Sequence, residues 1–137
     1  MPAWVAAHLR QPAVSIIDAR EAHAYLGDDP KMVANPKVVQ GRIPSARSIP
    51  METLTNDSLK LKDNSQIASI FTDAGIKPGS QVVSYCWVGQ RATLIWFVAT
   101  MKGYDAHLYD GSWQDWSARK DLPVEMPTPA MQDHQER

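Results

Sequence analysis

The sequence predicts an α/β domain with a mainly parallel central sheet flanked by helices on both faces. Three observations lead there. Short β-branched runs alternate with helix-like stretches along most of the chain, which requires crossover connections and hence parallel strands. The stretch from Ala92 to Met101 is apolar nearly all round, as expected of a helix packed into a layered core. With 137 residues, of which 44% are hydrophobic and 21% charged, the chain is sized for one compact core and not two.

The elements follow in order. Trp4, Val5 and Leu9 recur at helical spacing within a helix expected from Pro2 to Leu9, and Val14-Ser15-Ile16-Ile17 follows as a strand ending at Asp18-Ala19-Arg20. Asp28 to Lys37 is rich in Asp, Pro and Lys without periodicity, so an exposed loop is expected there. Arg47-Ser48-Ile49 reads as a brief strand stopped by Pro50. Ile67, Ile70, Phe71 and Ala74 form one apolar stripe of a helix capped by Asn64 or Ser65 and stopped by Gly75. The turn Lys77-Pro78-Gly79-Ser80 leads into a buried strand, Gln81 to Tyr85, and then into the Ala92–Met101 helix stopped by Gly103. Ala106 to Tyr109 is a further strand, and Asp110-Gly111-Ser112 opens a helix through Trp113, Trp116 and Ala118, with Asp110 or Ser112 as its cap. The domain is thus expected over residues 1–122. The stretch 123–137, rich in Pro and polar residues, is expected to be a frayed tail.

Composition excludes several function classes. The net charge of −1, with both signs scattered, leaves no electrostatic footprint for nucleic acid or an anionic membrane, so neither is expected as a partner. No apolar stretch reaches membrane-spanning length, and no basic-then-apolar signal pattern opens the chain. A single cysteine permits no internal disulfide and suits a reducing compartment, so a cytoplasmic location is expected. The four histidines are scattered without metal-site spacing, and neither a metal nor an organic cofactor is expected.

That cysteine, Cys86, carries the chemistry. It stands directly after the Gln81–Tyr85 strand and just before the apolar helix, in Cys86-Trp87-Val88-Gly89-Gln90-Arg91-Ala92. A thiol on such a loop faces the positive end of the helix and backbone N–H groups without intrahelical acceptors, which favour a thiolate and an anion brought to it. The plain alternative is a buried structural cysteine. Glycine, Gln90 and Arg91 are poor neighbours for a core thiol, which favours the nucleophile. In parallel sheets working groups gather beyond the carboxyl ends of strands. Asp18 with Arg20, Cys86, and Asp110 with Ser112 each follow a strand directly and are expected to share one edge.

Gly41-Arg42-Ile43-Pro44-Ser45-Ala46, the cysteine loop and Ala106-His107-Leu108-Tyr109-Asp110-Gly111-Ser112-Trp113-Gln114-Asp115-Trp116, together with Asp18-Ala19-Arg20, resemble the rhodanese (sulfurtransferase) domain in the family's own order. The resemblance spans about Trp4 to Leu122 and is strongest to the cysteine-bearing second half of tandem thiosulfate sulfurtransferases. It implies a sulfurtransferase that carries a sulfane sulfur as a Cys86 persulfide between a small donor and an acceptor, such as thiosulfate, cyanide or thiols, or a protein persulfide partner. A persulfide carrier that docks a partner and turns over little by itself is the binding-module alternative.

Within that reading the backbone N–H groups of Trp87, Val88, Gly89, Gln90, Arg91 and Ala92 cradle the outer sulfur, and Gly89 lets the loop turn its amides inward. Gly89 as an ordinary turn residue is the alternative. Arg91 either attracts an anionic donor or braces the loop by pairing with Asp18 or Glu21. Asp18, Arg20 and Arg42 are supporting residues: the first two as scaffold, Arg42 as added positive potential at the mouth or as a solvated surface arginine. Trp87 is expected at the mouth as an apolar contact. Cysteine-loop phosphatases and arsenate reductases are the rival class; they place five residues between Cys and Arg, whereas four separate Cys86 from Arg91.

Departures from the family bear on the donor. His is usual where Arg42 stands, and Gly is frequent where Ser45 stands. Thiosulfate-specific members carry a second arginine where this chain has Ala24, and basic residues where it has Trp87 and Val88. A mouth so poor in cations argues against strong thiosulfate specificity.

Overall fold

Strand pairing builds a single four-stranded sheet in the order β2-β1-β3-β4, all parallel, from β1 (Val14–Asp18), β2 (Arg47–Ser48), β3 (Gln81–Tyr85) and β4 (Asp105–Leu108). The structure is a computed structural model and describes residues 1–126. Strand periodicity splits the core into two layers. Ile17 and Val82 point to one face, where they meet Ile67 and Phe71 of α4 (Asn64–Asp73) and Ala92, Ile95, Val98 and Ala99 of α5 (Gln90–Met101). Ile16, Val83 and Tyr85 point to the other, against Val5 of α1 (Pro2–Ala7) and Trp113 and Trp116 of α6 (Ser112–Ala118). Helices therefore cover both faces, as the alternation of elements requires.

Several details depart from the sequence reading. The segment expected as a plain loop from Asp28 to Lys37 contains a helical turn, α3 (Pro30–Val33), in which Asp29 accepts the Lys31 N–H and Pro30 occupies the first turn. Four residues cannot display a helical period, so periodicity had nothing to report. The same applies to α2 (Ala22–Leu26) and to the 3-10 turn Met51–Leu54, both absent from the sequence reading. The cap of α4 is Asp63, not Asn64 or Ser65: its carboxylate accepts the Gln66 N–H while the Gln66 side chain receives the Asp63 N–H, a reciprocal capping box. Neither Asp110 nor Ser112 caps α6; Gly111 stands at that position without a side-chain bond. Helix α5 begins at Gln90, so the cysteine loop is shorter than expected.

Residues 123–126, expected in the tail, return to the domain. Arg42 and Glu125 exchange two backbone hydrogen bonds, at 3.0 and 2.9 Å, and the Trp116 indole donates to the Pro123 carbonyl at 2.8 Å. The remainder of the expected tail, 127–137, lies outside the described residues.

Candidate active site

Residues that follow β1 and β3 meet at one sheet edge because the register pairs Asp18 with Tyr85, so the next residues, Ala19 and Cys86, emerge side by side. The chain leaves β3 into Cys86, turns through Trp87, Val88 and Gly89, and enters α5 at Gln90. The turn is held from within and from below. Gly89 N–H points at Cys86 Sγ, 3.1 Å away. The Cys86 and Trp87 carbonyls accept the Trp113 and Gln114 N–H groups of α6 at 2.8 and 3.0 Å, and the Cys86 N–H donates to Ser112 Oγ at 3.0 Å.

Gly89 is more than a turn residue. Its φ of +96° lies where side chains are disfavoured, and a Cβ there would stand 2.7 Å from the Asp110 carbonyl oxygen. Only glycine lets the loop close against the β4–α6 connection.

Cys86 itself is buried, 1% exposed, and belongs to the core layer of α4 and α5. The sequence reading set a core thiol against a loop nucleophile; the structure puts a loop cysteine on the core's upper boundary. Among its loop neighbours, Val88 and Gln90 are exposed, Ala92 is fully buried, and the Ala92 carbonyl accepts the Ser84 hydroxyl at 2.9 Å. The amides of Gln90, Arg91 and Ala92 belong to the first turn of α5, where no intrahelical carbonyl precedes them.

Arg91 lies behind this loop. Its Nε donates to the Ala19 carbonyl at 3.0 Å, one terminal nitrogen lies 3.4 Å from Glu21, and the other pairs with Glu52. Of the partners expected from sequence, Glu21 is present and Asp18 is not, because Arg20 occupies Asp18. Trp87 is half-buried rather than an open mouth residue; its indole N–H donates to Glu21 at 3.1 Å. Burial raises the cost of charge on Glu21, yet the Trp87 hydrogen bond and the positive Arg91 and Arg20 outweigh it and hold the carboxyl below its ordinary value.

Beneath Trp87 lies a buried cluster. Arg20, 1% exposed, binds the Asp18 carboxylate through Nε at 3.1 Å and a terminal nitrogen at 2.8 Å, and the same terminal nitrogen reaches the Gly41 carbonyl at 2.8 Å. Its guanidinium carbon sits 4.8 Å from both the Trp87 and the Trp113 ring centroids. Burial opposes that charge, but the Asp18 carboxylate more than offsets it and keeps Arg20 ionised. The Tyr85 hydroxyl donates to Asp18 at 2.7 Å; burial and the adjacent Asp18 charge push it well above its ordinary value, so it stays a donor.

Arg42 is neither at the mouth nor solvated. It is buried against the Tyr25 ring, 4.0 Å from its centroid, and its Nε donates to Glu125 at 2.8 Å. Its charge is committed to closing the C-terminal segment over the domain. Ser45, where the family often has glycine, has φ +69° and so adopts the glycine-like conformation despite its side chain. Ser112 was expected at this edge from its place after a strand and lies there, bonded to the Cys86 N–H, whereas the sequence reading did not place Tyr85, Glu52 or Glu125. Tyr85 was findable, since strand alternation sends it to the face of Asp18; Glu52 and Glu125 arrive through long-range closure that leaves no local pattern.

Known proteins resemble this chain in sequence and in fold. Residues 1–119 match the Rhodanese-like domain family. The chain is 34% identical over 113 residues to the 3-mercaptopyruvate sulfurtransferase of Escherichia coli, covering 80% of this chain and 38% of that protein. It is 32% identical over 111 residues to SseB of Mycobacterium tuberculosis, covering 81% of this chain and 38% of that protein. The chain thus spans roughly two-fifths of the length of these relatives. Among solved structures, an EanB variant with ergothioneine covalently linked to a cysteine persulfide superposes with a TM-score of 0.79 at 27% identity, over 93% of this chain and 31% of that one. A parallel four-stranded sheet, a cysteine loop at its carboxyl edge and a family match over nearly the whole described chain converge: this protein belongs to the rhodanese-like domain family.

Proposed function

We propose that this domain transfers a sulfane sulfur through a persulfide on Cys86. The observation that carries the reading is the Cys86 loop, with a backbone N–H aimed at Sγ and the first turn of α5 directly behind it. The Cys86 thiolate attacks the transferable sulfur of a donor and a new S–S bond forms; in thiosulfate or a persulfide the donor's S–S bond breaks and sulfite or a thiolate leaves with the electron pair, and in 3-mercaptopyruvate the C–S bond breaks and pyruvate leaves as its enolate. A nucleophilic acceptor then attacks the outer sulfur, and Cys86 leaves as thiolate. No outside oxidant or reductant is needed. Amides at the loop and helix terminus suit the negative charge that resides on the outer sulfur. Relatives that include a 3-mercaptopyruvate sulfurtransferase support the same chemistry.

The phosphatase reading is disfavoured on two grounds. The loop is one residue short, and Arg91, which such enzymes aim at the phosphoryl oxygens, is engaged by Ala19, Glu21 and Glu52 behind the loop. The carrier alternative shares the persulfide and differs only in needing a partner protein for turnover. Intact mass after incubation with thiosulfate, 3-mercaptopyruvate or a low-molecular-weight persulfide should show one added sulfur, lost on treatment with cyanide. Cys86→Ala should take none while remaining folded, at a cost of about 1 kcal/mol for the vacated volume. Sulfur loading by that variant, or efficient aryl phosphate hydrolysis without sulfur uptake by the wild type, would sink the proposal.

A further inference from the structure

Along the outer edge of β2, the first strand of the sheet, runs a cleft of about 480 Å3 whose lining includes no residue of the cysteine loop. Tyr25 of α2 walls it on one face of the sheet, and Ile70 and Asp73 of α4 on the other. The backbone at its floor is unpaired. Ile49 N–H donates to the Asp18 carbonyl at 3.0 Å, and ladder alternation then turns both backbone groups of Ser48 away from β1 and toward the cleft. Ala19 N–H, the only β1 donor in reach of the Ser48 carbonyl, goes to Tyr85 instead at 2.8 Å. Ser48 therefore offers one N–H and one C=O side by side. Its neighbours offer nothing more. The Ala46 carbonyl accepts the Tyr25 hydroxyl at 2.8 Å, Pro50 has no N–H, and the Pro50 carbonyl accepts the Thr53 N–H at 2.9 Å and hydroxyl at 2.7 Å. An edge open at one residue only is too short to take up a whole strand, and suits a small ligand.

Two opposite charges face the same space. Arg47 and Asp73 both line the cleft, both are exposed, and neither side chain forms a hydrogen bond or ion pair with any described residue. The Arg47 guanidinium lies against Gly75, its carbon 3.5 Å from where a Cβ would stand, yet it does not close on the carboxylate two residues earlier. A cation and an anion held apart across a cavity complement a molecule with a carboxylate at one end and an ammonium at the other. We infer that the cleft binds a short zwitterionic peptide of roughly two or three residues. One residue of the peptide exchanges both backbone hydrogen bonds with Ser48, as two residues of an antiparallel pair do, while its carboxylate meets Arg47 and its ammonium meets Asp73. Binding is non-covalent and involves no step at Cys86, so it stands apart from the sulfur-transfer reading.

Trialanine is the probe, titrated into isotope-labelled protein with the Ser48 amide followed by NMR. A saturable shift is expected, with Kd about 1 mM or tighter. Acetylating the N-terminus of the peptide or amidating its C-terminus should each weaken binding about threefold or more. N-methylation of its central residue, which removes the donor to the Ser48 carbonyl, should weaken it about tenfold. Asp73→Asn should abolish the sensitivity to acetylation alone, and Arg47→Gln the sensitivity to amidation alone; both side chains are exposed, so folding tolerates the changes. No saturable shift at Ser48, equal binding of the doubly capped peptide, or equal binding of free alanine overturns the assignment. Affinity that keeps rising from trialanine to hexaalanine would show strand addition and overturn it as well. Sulfur loading of Cys86 is measured separately: its absence removes the transfer reading and leaves the peptide result standing.

Discussion

Glu21 offers its two carboxylate oxygens to donors on opposite flanks of the cysteine loop, one to the Trp87 indole and one to Arg91. Both partners are obligate donors, so an amide at this position satisfies only one of them. Glu21→Gln is expected to slow Cys86 alkylation and sulfur loading about tenfold, and the effect should shrink in a Trp87→Phe background, where one donor is already gone. The pH dependence has a definite sign. The Glu21 carboxyl titrates below its ordinary value when folded, so its contribution is present above the unfolded value of about 4.3 and is lost as pH falls through the lower folded value. The Tm gap between wild type and Glu21→Gln should therefore be open at neutral pH and close in strong acid; a gap that persists at low pH contradicts this coupling. Glu21 was visible in the sequence as a partner for Arg91. Its second bond was not, because Trp87 read as an open aromatic, and only its packing over Arg20 turns the indole N–H inward.

At the scale of elements, the cysteine loop is shaped by the β4–α6 connection as much as by its own residues. Asp110 approaches Gly89 so closely that any Cβ collides, and Ser112, at φ +57°, turns its hydroxyl between the Tyr109 carbonyl and the Cys86 N–H. Gly89→Ala is expected to cost about 2 kcal/mol or more, from the left-handed backbone together with the carbonyl contact, and to abolish sulfur loading. Chemical denaturation with a parallel loading assay checks it; a stable and active Gly89→Ala variant would show that the loop closes some other way. The β3 strand, the α5 helix and the glycine between them were legible from β-branched residues and apolar periodicity. The cap of α6 was not, since Ser112 spends its hydroxyl on the Tyr109 carbonyl and the Cys86 N–H instead.

For the whole molecule, positive charge is spent on architecture before it reaches the mouth. Arg20 and Arg42 are buried with Asp18 and Glu125, and Arg91 is bound behind the loop. Adding a cation next to the nucleophile should thus help a small dianion. Trp87 is a poor place for it, because a new charge there would face Arg20; Val88 is exposed and free of that conflict. Val88→Lys is expected to raise kcat/KM for thiosulfate about three- to tenfold, an effect that fades with added salt. An unchanged value at low salt would refute this electrostatic account. Arg42 also ties the C-terminal segment down, and Glu125→Ala should lower stability by about 1–3 kcal/mol in urea denaturation, because the Arg42 Nε loses its carboxylate acceptor. A loss near zero would mean that residues 123–126 add little to the fold.

The sequence by itself determined the fold class, the order of the main strands and helices, and the cysteine loop at the carboxyl edge. Each of these is written in local period, in turn residues and in the motif order shared with the family. Tertiary structure alone decided where the charges go. Arg42 is buried rather than solvated, Arg91 meets Glu21 and Glu52 rather than Asp18, and residues 123–126 pack back on the domain. The reason is physical: secondary structure reads contacts a few residues apart, whereas an ion pair is chosen among all residues that the sheet order brings together. Arg42 and Glu125 lie 83 positions apart in the chain, and only closure of the whole domain makes them neighbours.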